Sequence, residues 1–198
     1  MIPFTFLFMG RSGCGKGTQS KLLQAYLKER YPEEEVRSLE VGAEIRKYME
    51  GESYTQDLSR KVYGEGSLQP AFISIHLWAG LLIKLLTGKE HLVIDGVARE
   101  LLQAEALDSA LDFYKRDSRF VIYVRVSGEW SKERLMSRAR ADDTEENIEN
   151  RLKWFDTHVV PAIEFFQHNP RYHFIEVDGE QTIEKVHQDI VTGIAQCH

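Results

Sequence analysis

The sequence predicts a three-layer α/β fold, with a central five-stranded parallel sheet covered by helices on both faces. Apolar runs of strand length recur five times, amphipathic stretches of helical period alternate with them, and no spacer between them is long enough to divide the chain. With 198 residues, 42% of them hydrophobic, the chain can bury a full core as one domain carrying insertions.

The first strand is "FTFLFM" at 4–9, followed by the glycine-rich "GRSGCGKGTQ" and the helical pattern "KGTQSKLLQAYLKER". "EVRSLEV" at 35–41 predicts the second strand. The apolar helix "FISIHLWAGLLIKLL" leads to the third, "HLVID" at 91–95; within that helix His76 reads as a core or helix-face histidine and Trp78 as packing. "RFVIYVRV" at 119–126 and "YHFIEV" at 172–177 supply the last two strands. Between them Ile148, Leu152, Phe155, Val159, Ile163 and Phe166 recur at helical spacing. Asp143 with Glu146 would cap that helix, Pro161 would kink it, and Asn169-Pro170 would end it. Ligands of parallel sheets bind beyond the carboxyl ends of the strands, so chemistry is sought in the residues immediately after each run.

Charge and cysteine content exclude several classes. A formal net charge of −6 disfavours a nucleic-acid binder, because polyanion affinity depends on cationic side chains neutralising phosphates. Two cysteines, Cys14 and Cys197, are too few for a disulfide framework and point to a reducing, cytoplasmic setting. The start "MIPFTFLFMG" has no basic leader and no small-residue cleavage site, and its apolar run is too short to span a bilayer. No HExxH spacing occurs among the histidines, and the cysteines lie far apart, which disfavours a zinc site.

Gly10, Gly15 and Lys16 fit a phosphate-binding loop, with the expected hydroxyl displaced one place to Thr18. Glycines let backbone N–H groups approach a phosphate, the following helix N-terminus adds a favourable partial charge, and Lys16 neutralises outer phosphates. Cys14 could be redox-active at a helix N-terminus, but without a resolving cysteine it reads as a passive loop residue. Asp95 ends a buried strand where a carboxylate would order Mg²⁺ or its waters; the alternative is an aspartate capping the turn at Gly96. Arg134, Arg138, Arg140 and Arg151 flank the acidic "ADDTEEN". They read either as solvated helix arginines or, as a set, as a closing clamp of bidentate donors for transferring phosphates.

With these residues assembled, the chain resembles the adenylate kinase family of nucleoside monophosphate kinases. "GRSGCGKGTQ" is similar to that family's phosphate loop, in which glycine follows the lysine and threonine comes next. The resemblance implies that Gly13, Cys14, Gly15, Lys16, Gly17 and Thr18 hold ATP, with Arg134 and Arg138 on its phosphates and the backbone near Gln181, in "VDGEQTI", beside its adenine. "EVGAEIRKYM" resembles the start of the acceptor segment, giving Val41, Gly42 and Arg46; "GEGSLQP" gives Ser67, Leu68 and Gln69 around the acceptor base. "IDGVARELLQ" gives Asp95 and Gly96, with Arg99 on the acceptor phosphate and Gln103 on the adenine edge. "RLMSRARADDTEENIENRL" resembles a short lid that brings Arg140 and Arg151 to the transferring group and the acceptor.

What the resemblance implies is a single P-loop kinase domain over 1–198, with an acceptor segment at 40–70 and a short lid at 137–147. Its reaction is reversible transfer from Mg·ATP to AMP, giving two ADP. Thr18 and Asp95 would hold Mg²⁺ mainly through water, and the protein would be a monomer with no nucleic-acid or membrane partner. Two motifs depart from the family: Val41-Gly42-Ala43 replaces Thr-Gly-Asp, and Val97-Ala98 replaces aromatic-Pro before the arginine. A kinase of UMP, CMP or GMP, a small-metabolite kinase, and a non-catalytic nucleotide sensor are the competing expectations.

Overall fold

The computed structural model describes residues 3–138 and 143–197. Five parallel strands, β1 (Phe4–Met9), β2 (Val36–Glu40), β3 (His91–Asp95), β4 (Ser118–Arg125) and β5 (Tyr172–Asp178), lie in the order β2-β3-β1-β4-β5. Helices α1 (Lys16–Arg30) and α9 (Ile183–Gln196) cover one face. The other carries α2 (Val41–Tyr48), α4 (Ala71–Leu85), α5 (Leu101–Phe113) and α8 (Val160–Gln167). Helices α3 (Tyr54–Gly64), α6 (Gly128–Arg138) and α7 (Glu145–Trp154) complete the chain.

Alternation along β1 shows why the sheet must be sandwiched. Phe4, Phe6 and Phe8 pack toward α1 and α9, whereas Leu7 and Met9 pack toward α2, α4 and α5, so both faces of the strand are buried. Chain order reverses at β1: the next strand in sequence, β2, lies on one side of it beyond β3, and β4 lies on the other. A crevice therefore opens beyond the carboxyl end of β1, where the glycine loop begins. No helix among the described residues is long and apolar enough to cross a membrane.

The helical stretch after residue 143 ends before Asn169-Pro170 as expected but departs from expectation at its start and in its middle. Thr144, not Asp143, is the N-cap of α7, its hydroxyl accepting from Asn147 N at 3.2 Å. Asp143 is drawn away by Arg138 and Arg151. Pro161 does not merely bend one helix: a π-helical turn at Phe155–Val159 separates α7 from α8, and Pro161 falls in the first turn of α8, where its missing N–H costs nothing. Val41 begins α2 instead of ending β2.

At the amino-terminal edge of the sheet His91 is fully buried. Its Nδ1 accepts from Phe4 N at 3.0 Å, and its ring stacks on Phe4 at a centroid distance of 5.0 Å. Burial pushes its pKa below the ordinary 6.5. The unfolded chain then binds the proton more readily than the native one, so stability is complete above pH 6.5 and falls as the pH drops from there toward the folded value. Urea unfolding on either side of that ordinary value, near neutrality and in mild acid, checks this: the native chain loses stability at the lower pH, and His91→Asn, which keeps an acceptor without the titration, loses less.

Candidate active site

Sequence shapes the glycine loop directly. Gly10 has φ 141, and a Cβ there would stand 2.4 Å from Val124 O and 2.8 Å from Cys14 Sγ. Gly15, at φ 94, turns the chain into α1 and faces open space. Lys16 Nζ folds over the loop and donates to Gly10 O and Arg11 O, each at 2.8 Å. Cys14 is buried with the core beneath α1, and its Sγ accepts from Lys16 Nζ at 3.5 Å. Gln19 Nε2, on the first turn of α1, donates to Ile183 O at 2.9 Å and ties the loop's helix to the start of α9.

Beyond the loop lies a cavity of about 450 Å³. Ser12, Gly13, Gly15, Lys16, Gly17 and Thr18 form its floor. Gly42 and Arg46 enter from α2; Ser67, Leu68 and Gln69 from the segment after α3; Asp95, Gly96, Arg99 and Gln103 from the end of β3 onward; Arg138 and Arg151 from α6 and α7. Most of the residues named from the sequence therefore meet in one place.

The arginines are arranged around small residues. A Cβ on Gly96, which has φ 78, would lie 3.1 Å from Arg99 Nη2, and one on Gly42 would lie 3.6 Å from Arg46 Nη1 and 3.8 Å from Arg99 Nη2. Arg46 and Arg99 thus converge over Gly42. Desolvation lowers the pKa of Arg99, Asp95 and Tyr63 oppose that shift, and Arg151 and Arg46 add to it. Asp143 accepts from Arg138 Nε and Nη2 at 2.8 and 2.7 Å and from Arg151 Nη1 at 2.6 Å. Burial pushes its carboxyl up, but the hydrogen bonds and charge of Arg138 and Arg151 outweigh that and hold it below the ordinary carboxylate value. One carboxylate therefore gathers two cationic forks at the cavity wall.

The side chains of Val41 and Arg134 lie off the cavity, and the amides of Gln69, Gln103 and Gln181 are engaged within the protein. The Val41 side chain is 1% exposed in the core and leaves cavity lining to Gly42 and Ala43, because the change from strand to helix turns it inward. Arg134 is exposed on α6 with its guanidinium 4.7 Å from the centre of the Trp130 ring, outside the cavity. Gln181 lies in the turn before α9, and its amide donates to Asp178 O and Asp189 Oδ2 at 3.0 and 3.2 Å. Gln69 lines the cavity, but its amide is already engaged by the hydroxyl and carbonyl of Ser59. Gln103 accepts from Arg99 N at 3.4 Å and donates to Glu100 Oε2 at 3.0 Å. Arg140 lies outside the described residues. His76 is exposed on α4 and Trp78 is buried in the core, in keeping with helix-face and packing roles.

Sequence reasoning missed Glu40, Tyr63 and Trp154, all of which line the cavity. Glu40 stands in register with Asp95 across β2 and β3, so both carboxylates project from the same sheet face. Trp154 Nε1 donates to Gly66 O at 3.0 Å, and Asn150 Nδ2 donates to Glu65 O at 2.9 Å, docking α7 on the segment after α3. Ala98 is fully buried at φ 57, a region that proline, with φ fixed near about −65°, cannot enter. Its left-handed backbone costs about 1 kcal/mol. Ala98→Gly is accordingly expected to raise the free energy of unfolding by up to about 1 kcal/mol in urea titration, and Ala98→Pro to lower it.

A family model described as "Adenylate kinase" matches residues 8–171. The chain belongs to the adenylate kinase family. Among curated relatives, "Adenylate kinase" of Prochlorococcus marinus (strain MIT 9515) is 30% identical over 190 residues, covering 96% of this chain and 97% of that protein. The protein of the same name from Synechococcus sp. (strain WH7803) is 29% identical over 192 residues, with 96% and 97% coverage. That from Dehalococcoides mccartyi (strain CBDB1) is 28% identical, with 96% and 98% coverage. Membership makes the chain a phosphotransferase, and its parallel five-stranded sheet with helices on both sides is the α/β P-loop kinase fold.

Proposed function

We propose that the protein transfers the terminal phosphoryl group of Mg·ATP to AMP, reversibly, giving two ADP. The observation that carries this reading is the convergence of Lys16, Asp95, Arg46, Arg99 and Arg151 on one cavity. Such a set suits a reaction in which a phosphorus–oxygen bond to the donor breaks as one to the acceptor phosphate forms, with charge spread over oxygens in transit. No general base is needed, because a monophosphate with a second pKa near about 6 is already largely dianionic at neutral pH.

In this reading Lys16 and the amides of Gly13 to Thr18 hold the donor phosphates. Arg46 and Arg99 hold the acceptor phosphate, with Gln103 near its base, and Arg138, Arg140 and Arg151 surround the group in transit. Residues 40–70 form the acceptor segment and 137–147 the lid. The oxygen donors fit Mg²⁺: Thr18, Asp95 and, in register with it, Glu40 offer hard ligands, and two carboxylates suit an ion that keeps waters and takes substrate phosphates as its other ligands. When bound, Mg²⁺ neutralises phosphate charge. The protein's own groups align the two nucleotides and exclude water as a competing acceptor.

Chromatographic analysis after incubation with Mg·ATP and each of AMP, CMP, UMP, GMP and dAMP tests the reading. Product forming fastest with AMP supports it. Transfer only to another monophosphate moves the acceptor assignment, and ATP binding with no transfer to any acceptor overturns it.

A further inference from the structure

Arg11 is a cationic side chain beside the site that the reaction above leaves unused. It comes directly after Gly10 in the phosphate loop and points away from the cavity, toward the π turn. Its Nη2 is 2.6 Å from Asp156 Oδ1, and its guanidinium carbon stands 4.2 Å from the centre of the Phe155 ring, which is 2% exposed. Its backbone carbonyl meanwhile accepts from Lys16 Nζ. Arg151 and Trp154, four residues and one residue before Phe155, line the cavity, and Trp154 holds the acceptor segment through Gly66. One side chain therefore joins the loop that carries Lys16 to the helix that carries Arg151.

We infer that Arg11 is a positioning residue for phosphoryl transfer: clasped by Asp156 and seated on Phe155, it fixes the spacing between the donor loop and the arginine helix. The inference rests on the proposed transfer reaction. Asp156 is 61% exposed at its side chain, and an ion pair so open adds little stability. Its value lies in geometry, because a misplacement of about 1 Å from a change remote from the chemistry can cost on the order of 10²-fold in rate. A planar guanidinium suits the role, since it can stack on a ring and bind a carboxylate at once, whereas lysine keeps only the charge. The π turn serves the same arrangement by burying Phe155 and Val159 while presenting Asp156 outward.

Steady-state kinetics of the full chain with ATP and AMP varied separately, well below the melting temperature of every variant, test the inference. Arg11→Ala and Asp156→Ala are each expected to lower kcat by about tenfold while either KM moves less than about threefold. The double variant should lose no more than the singles, because both changes sever one clasp. Arg11→Lys should recover part of the loss. A kcat for Arg11→Ala within about twofold of the native value, or a double variant whose loss is the product of the two single losses, overturns the inference. An inactive native enzyme instead overturns the transfer reading itself, so the two failures are distinguishable.

Discussion

Replacing Arg99 by alanine is expected to lower kcat for transfer from ATP to AMP by about 10²- to 10³-fold, with the fold intact. The magnitude is that of removing one fixed donor which, in the proposed reaction, is aimed at charge that develops in transit. Arg99 sits where Gly42 and Gly96 leave room for it, beside Arg46 and close enough to Arg151 for the two to repel. Desolvation and those like charges disfavour the bare guanidinium, Asp95 and Tyr63 oppose them, and a phosphate bound as proposed would oppose them further. Arg99→Ala should therefore unfold at a melting temperature no lower than that of the native chain, even as turnover collapses. The pairing of lost rate with retained stability separates a functional arginine from a structural one. A parallel fall in melting temperature and rate would count against the assignment.

Lys16→Ala is expected to have an effect of similar or greater size, through the donor. Its ammonium group rests on the carbonyls of Gly10 and Arg11 and, in the proposed reaction, would reach a donor phosphate by exchanging those neutral acceptors for charged oxygens. Loss of the lysine would remove the positive charge that the proposed reaction sets against the moving phosphoryl, and it frees the loop carbonyls that Lys16 holds. Turnover should fall by about 10²-fold or more, and affinity for ATP should weaken more than affinity for AMP. Separate titrations with each nucleotide check the asymmetry; equal weakening of both would place Lys16 outside the donor site.

The sheet was legible in the sequence because its strands are buried on both faces and therefore read as continuous apolar runs, as "FTFLFM" and "RFVIYVRV" do. The phosphate loop was legible because its glycines answer a local demand, shown by the approach of Gly10 to Val124 O. Features that depended on tertiary partners were not. Asp143 and Thr144 are adjacent cap formers, and only Arg138 and Arg151 decide that the aspartate leaves the cap. Tyr63 and Trp154 stand in none of the motifs, and they line the cavity only once α3 and α7 are set against the sheet. Glu40 is found only through its register with Asp95. The side chains of Val41 and Arg134 show the reverse case: motif position pointed to the cavity, and the fold turns one into the core and the other onto Trp130.

If one cavity holds two nucleotides and moves a phosphoryl group between them in either direction, ADP alone must serve as both donor and acceptor. Incubation of the purified protein with ADP and Mg²⁺ only, with nucleotides separated by chromatography, puts this to the test without any choice of acceptor. ATP and AMP are expected to appear in equal amounts, and Lys16→Ala and Arg99→Ala to abolish both. ADP left unchanged, or AMP appearing with inorganic phosphate and without ATP, would rule out transfer between two nucleotides in this cavity.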